Sequence, residues 1–387
     1  MSNTRASACD ALVIGGGPAG AALGIALAQS GRAVKLLEQS PTAHNKVCGE
    51  FLSHEAIGYL ESLRVSPRAL GAVAIRGVRL HAHTRIATCE LPFPALSLTR
   101  RALDEALLHA ARREGVTVLR GQRVEGLTRT SDGWQARVVA GAVHAARDAF
   151  LATGKQDLSG YRRPTGKQNN LVGFKMYFRL AAAQLEALKG WVELFLFPGG
   201  YAGLQMVEGG QANLCLLVTR EQFARCGGAW TALLEHMLQS SPPLRVWMDG
   251  AEPVLDRPLA VSSIPYGLLP AETTDGLWRL GDQAAVIPSF SGDGMSMALH
   301  SALLAAMMLA RGATPAEFAR VMRAQFQDSI QLATTVSRML VSAPVVAQAA
   351  RMWPGLLGRI AARTRVPTNA LLTAHPLLRH NGAGLDG

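Results

Sequence analysis

The six residues Gly15-Gly16-Gly17-Pro18-Ala19-Gly20 stand between an apolar run at 11–14 and an alanine- and leucine-rich stretch at 21–29, and few backbone paths fit that arrangement. A strand, a glycine turn and a helix follow in order. Gly15 permits the tight turn, Gly17 lets backbone come close to a pyrophosphate, and Gly20 lets the helix pack against the strand. Each lacks a Cβ where one would collide. A second apolar run at 33–37 ends in Glu38, 18 residues beyond Gly20, where a carboxylate would accept hydrogen bonds from an adenosine ribose. The helix amides and dipole would then face the pyrophosphate, so the opening 40 residues read as a dinucleotide site.

The other end of the chain says which dinucleotide. Gly281-Asp282 follows a short apolar strand, and the turn-rich run 288–295 leads into a helix. A flavin needs such a second contact, with an acid near its ribitol hydroxyls and helix amides at the pyrimidine end of its ring; a nicotinamide cofactor does not. Between these ends the pattern changes. Residues 99–114 form an amphipathic helix and 116–119, 124–127, 134–139 and 149–152 short strands, whereas 171–178 and 192–218 are aromatic, β-branched and broken by glycine pairs. The expected fold is α/β: a discontinuous Rossmann-like FAD-binding lobe (1–170 and 270–330), an inserted antiparallel-sheet substrate domain (171–269) and a helical C-terminal segment (331–387).

Composition narrows the function classes. Only 17% of residues are charged against 49% hydrophobic, which suits a folded globular chain. The net charge of +11 is scattered arginine without a basic block or an RNA-binding or zinc signature, so no nucleic-acid partner is expected. Five well-separated cysteines without a CxxC pair fit a reducing cytoplasm. No apolar run reaches the length of about 18 residues that a span needs; the apolar helix at 301–309 reads as core, leaving room for peripheral membrane contact. His44, His54, His81, His83 and His300 lack metal-ligand spacing, and His81 and His83 lie in a region with no evident carboxylate partner, so no metal is expected.

Gly15 to Glu38, the helix start Arg100-Arg101-Ala102-Leu103-Asp104, and Gly281-Asp282 through Gly294 together resemble the FAD-dependent oxidoreductases of the para-hydroxybenzoate hydroxylase fold. Lys46-Val47-Cys48-Gly49-Glu50 resembles the K-x-C-G segment of the geranylgeranyl reductase family. The likeness runs nearly to residue 310. It implies that Gly15, Gly17, Pro18, Ala19, Gly20, Glu38 and Gln39 hold the ADP half of FAD, Arg100 its phosphate or adenine side, and Val124 the adenine through backbone. It places Gly281 and Asp282 at the ribitol or pyrophosphate and Gly292, Gly294 and Met295 at the flavin loop. Two departures stand out. At 152–155, Ala-Thr-Gly-Lys replaces the Asp-Gly pair that many hydroxylases use toward FAD and NAD(P)H, and 197–204 lacks the tryptophan of the reductases' lipid tunnel. The tryptophan-rich signature of flavin halogenases is missing as well.

The resemblance brings Lys46, Cys48 and Glu50 toward the ring. Cys48 would donate a proton opposite a hydride or simply pack as a small apolar group, and Glu50 is the neighbouring titratable candidate. Lys46 would meet the flavin N1 side or a phosphate, or stand in solvent. Phe174, Met176, Phe195, Phe197 and Tyr201 are the expected apolar substrate wall, of which alternation lets about half face any one cavity. The expected activity is an FAD-dependent oxidoreduction of a hydrophobic isoprenoid, polyketide or related molecule, at a carbon-carbon bond, with NAD(P)H or another reductant as donor. The alternatives are a flavin monooxygenase hydroxylating an aromatic or polyketide substrate through a C4a-hydroperoxide, and a flavin-binding protein without turnover.

Overall fold

In the computed structural model, residues 9–83, 85–271, 275–341 and 363–371 are described. The apolar run before the glycine turn is the strand Cys9–Ile14, the helix is Pro18–Gln29 and the next strand is Val34–Glu38. Both strands are parallel, and Ile14 pairs with Leu37 on one side and with Leu151 of the strand Val143–Leu151 on the other. Thr117–Arg120 and Trp278–Arg279 add further parallel strands, and Gly133–Val138 and Val124–Thr130 extend the sheet antiparallel. A parallel sheet buried on both faces is apolar throughout. Its core is filled by the helices Pro18–Gln29, Arg100–Arg113, Gly294–Ala310 and Pro315–Val341.

The apolar segment at 301–309 belongs to the helix Gly294–Ala310, buried from Leu299 to Ala306. Among the described residues no helix is long and apolar enough to cross a membrane.

Among the described residues the second sheet has nine strands, and it departs from the expectation of a contiguous insert. Leu171–Arg179, Trp191–Phe197, Gly200–Met206 and Ala212–Thr219 lie side by side, but Val73–Ala82 pairs parallel with Trp191–Phe197, and Arg85–Ser97 and Phe51–Leu52 follow it. Three strands therefore come from within 1–170. The pairing is long-range and leaves no local pattern in sequence. It depends on Gly77: a Cβ there would stand 2.4 Å from the Trp191 ring.

The same pairing corrects the view of His81 as lacking a carboxylate. Strand register puts His81 beside Phe195, and its Nε2 lies 2.5 Å from Glu193, which also accepts from Arg79. Of the arginine-containing C-terminal tail 351–379, within the segment expected to be helical, only 363–371 is described, and there Arg365 pairs with Glu55 and stands over Phe93. The remainder of that tail lies outside the described residues.

Candidate functional site

The glycine turn closes on itself. Gly15 has φ of 109°, and a Cβ on it would meet the Ala152 carbonyl oxygen at 2.4 Å; one on Gly20 would stand 1.9 Å from the Gly15 oxygen. Gly17, at the helix N-terminus, is different: a Cβ there would meet only the Arg100 Nη2, at 3.4 Å. Space is therefore held open in front of uncapped helix amides, with a guanidinium across it. Asp104 aims that guanidinium, accepting from Arg100 Nε at 2.9 Å and Nη2 at 3.0 Å, and it accepts from Lys46 Nζ at 2.9 Å as well. Burial alone would push the Asp104 carboxyl up, but Arg100 and Lys46 hold it below its ordinary value.

Glu38 is nearly buried, and both of its oxygens are engaged by backbone, Oε2 by the Gly16 amide at 2.7 Å and Oε1 by the Ser40 amide at 2.8 Å. These bonds fix the carboxylate at the strand tip. Gln39 bonds Gln156 at 2.9 Å, and Gln122, Arg123 and Val124 line the same end of the cavity.

That cavity is about 1060 Å³ and continues to the second motif. Gly281 takes a left-handed φ of 54°, its amide donates to Ser301 Oγ at 2.9 Å, and Asp282 faces the cavity while its carbonyl accepts from Arg163. Gly292 turns at φ of 75°, Gly294 has no neighbour within 4 Å of a would-be Cβ, and Met295 lines the floor. Asp293, the residue before the helix, is buried. Desolvation pushes its carboxyl up to about 8 against the pull of Arg365, so it carries a proton near neutrality.

The 46–50 loop lies between the two motifs. Asn213 Nδ2 donates to the Cys48 and Gly49 carbonyls, Lys155 Nζ to the Val47 carbonyl, and the Glu50 amide to Cys48 Sγ at 3.3 Å. Glu50 has a positive φ of 63°, a conformation that the loop's anchors must hold in place. Its Oε1 lies 2.5 Å from Lys175 Nζ and accepts from the Tyr177 hydroxyl at 2.8 Å and the Arg100 amide at 2.7 Å. Burial raises the Glu50 carboxyl despite Lys175. Lys175 was not among the residues expected at the site, yet a lone lysine inside the apolar run 171–178 is a readable signal.

Residues 8–148 match the FAD binding domain family. Among curated proteins, the chain is 26% identical over 334 residues to a menaquinone reductase of Mycolicibacterium smegmatis, covering 80% of this chain and 78% of that protein. It is 24% identical to a digeranylgeranylglycerophospholipid reductase of Methanosphaera stadtmanae, covering 80% of each. The chain is an FAD-dependent oxidoreductase. Its fold is that of para-hydroxybenzoate hydroxylase, shared with a probable FAD-dependent monooxygenase of Pseudomonas aeruginosa (TM-score 0.71, 18% identity, 89% of this chain and 100% of that one). A flavin-dependent brominase is similar too (TM-score 0.75, 18% identity, 94% and 96%).

FAD fits the residues present: the opening at Gly17 suits its pyrophosphate, Glu38 its ribose, and the glycines of 281–294 a flat ring. When bound, FAD supplies the redox chemistry; the protein's part is to hold it and shape what approaches. Replacing Glu38 with alanine would orphan ribose hydroxyls and the Gly16 amide at about 1–3 kcal/mol. Glu38→Ala is expected to weaken FAD binding roughly ten- to a hundredfold when apoprotein is titrated with FAD. Affinity equal to wild type would remove Glu38 from the cofactor contacts.

The substrate wall needs correcting by one strand position. Phe174, Met176, Phe195 and Phe197 pack beneath the helices Ala182–Leu188, Trp230–Ser240 and Pro242–Trp247, on the sheet face turned away from the cavity. Successive residues of a strand point to opposite faces, so their neighbours Val192 and Leu194 line the cavity instead, together with Tyr201, Gly203, Gln205 and Leu217. Of the five expected wall residues only Tyr201 faces the cavity.

Proposed function

We propose that this oxidoreductase reduces a carbon-carbon double bond in a hydrophobic molecule of the isoprenoid type, with NAD(P)H or another reductant as electron source. One observation carries the reading: Cys48, anchored by Asn213 through its own carbonyl, faces the cavity between the cofactor cradle and a wall of Val78, Leu91, Val192 and Leu194. A thiol in that place would deliver the proton that one carbon of a double bond must gain while the other receives the hydride equivalent. The reductase names of the curated relatives support a reduction. Their substrates, a quinone and a prenylated phospholipid, suit an apolar chamber. The five free cysteines support a reducing, cytoplasmic setting, and the small molecule itself is the partner the site is built for.

The test uses dithionite-reduced holoenzyme without oxygen, mixed with menaquinone or a digeranylgeranylglycerol phospholipid, while flavin reoxidation and product mass are followed. Saturation of a prenyl double bond is expected. Cys48→Ala should slow it by about 10²-fold or more while keeping FAD and its spectrum. Full turnover in Cys48→Ala would remove the thiol from the chemistry. A product that gains oxygen, and only in air with NAD(P)H, would make the protein a monooxygenase instead.

A further inference from the structure

Where the sheet meets the 286–290 loop, the chamber carries three hydroxyls in an otherwise apolar wall. Tyr201 is 4% exposed and Tyr266 1%, and both pack in one buried cluster with Leu217 and Val286, against which Leu194 and Val261 also rest. Tyr201, Tyr266 and Ser289 all line the cavity. The Tyr266 hydroxyl and Ser289 Oγ lie 2.7 Å apart and share one proton, whichever of them donates it. The Tyr201 hydroxyl has no hydrogen-bond partner; the nearby Phe290 amide can only donate to its oxygen and so leaves its proton without an acceptor. Of three hydroxyl protons, one is used within the protein and two remain to be given away.

A buried donor without an acceptor, as at Tyr201, is uncommon in folded proteins and calls for a missing partner, and Ser289, exposed, opens the neighbouring pair to the cavity. That partner must be an acceptor. Burial pushes both phenols above their ordinary value, so they remain protonated donors over the working pH range. A charged group brought here would be desolvated among Leu194, Leu217, Val261 and Val286 with no ion partner from that cluster. A carbonyl oxygen, uncharged and with two lone pairs, can accept from two such donors on one cavity wall.

We infer that Tyr201 and the Tyr266–Ser289 pair form a carbonyl-oxygen site, and that the ligand of the chamber is a ketone or quinone whose oxygen docks there with its apolar body along the sheet. The inference rests on the hydrophobic-substrate reading above and adds to it a fixed polar anchor. Such an anchor sets which bond of a long apolar molecule comes to rest beside Cys48.

The experiment titrates oxidised holoenzyme with 2-methyl-1,4-naphthoquinone and with 2-methylnaphthalene, which has the same carbon frame without oxygens, and follows the flavin absorbance. Wild type should prefer the quinone by about tenfold or more. Tyr201→Phe and Tyr266→Phe, which remove only the oxygens, should each cut quinone affinity about tenfold and leave hydrocarbon affinity and FAD content unchanged, Tyr201→Phe with the wild-type melting temperature and Tyr266→Phe with one lowered slightly by loss of its bond to Ser289. Equal loss of both ligands would make the tyrosines packing groups and overturn the site, as would Phe variants that keep the preference. Wild type that binds the hydrocarbon without favouring the quinone would overturn the oxygen site alone. Wild type that binds neither would overturn the hydrophobic chamber and this inference with it.

Discussion

Gly17→Val is expected to purify as a folded, colourless protein. The position is open on the protein side, since a Cβ there meets only the Arg100 guanidinium at 3.4 Å, so valine costs the fold little. It costs the cofactor a great deal. The branched side chain fills the volume in front of the helix amides, where the pyrophosphate must come within hydrogen-bond distance. FAD affinity should fall by about 10³-fold or more, equivalent to roughly 4 kcal/mol. The measurement is the ratio of flavin to protein absorbance, alongside the melting temperature of apoprotein prepared from wild type. The neighbouring Gly20→Val should behave differently, because its Cβ would overlap the Gly15 oxygen at 1.9 Å and the turn itself would have to open. A yellow Gly17→Val protein would contradict the placement of the cofactor.

The second large effect concerns stability. Lys175 and Glu50 are both fully buried, and Lys175→Met would leave a carboxylate in a dry site without its cation. Removing one partner of a buried pair costs about 3–5 kcal/mol. The deficit should also depend on pH in a definite direction. Burial already raises the Glu50 carboxyl above its ordinary 4.5, and loss of Lys175 removes the largest opposing pull. A carboxyl raised in the folded state contributes its full stability below the unfolded value, and that contribution is lost as pH rises through the folded value. The variant's melting temperature should therefore lag wild type most near pH 8 and recover toward pH 5. The double variant Lys175→Met/Glu50→Gln should regain much of the loss at pH 8. A deficit independent of pH would mean that the lysine contributes packing alone.

The cofactor cradle was legible in sequence because each requirement is local: a missing Cβ at Gly15, Gly17 and Gly20, a carboxylate one strand later, and left-handed turns at Gly281 and Gly292. The substrate wall was not, and the reason is physical. Strands 171–179 and 191–197 are buried on both faces, one against helices and the other against the cavity, so apolar residues fill odd and even positions alike and no alternation reveals which side is which. Lys175 breaks that uniformity and marks the cavity-side parity of its strand. Long-range pairings were equally silent. Nothing near His81 in sequence announces Glu193, because the two meet only when strands more than 100 residues apart lie parallel.

The nine-stranded sheet is woven from chain on both sides of the amphipathic helix Arg100–Arg113, with Val73–Ser97 before it and Leu171–Ser262 after it. A grafting experiment that exchanged only 171–269 with a relative would therefore seat a foreign half-sheet against the native strand Val73–Ala82, at the contact where Gly77 accommodates Trp191. Specificity in this scaffold cannot be transplanted as a single cassette. A chimera must carry 51–97 together with 171–262, and natural divergence of the chamber must proceed by coordinated change in two stretches of gene with the helix that carries Arg100 encoded between them.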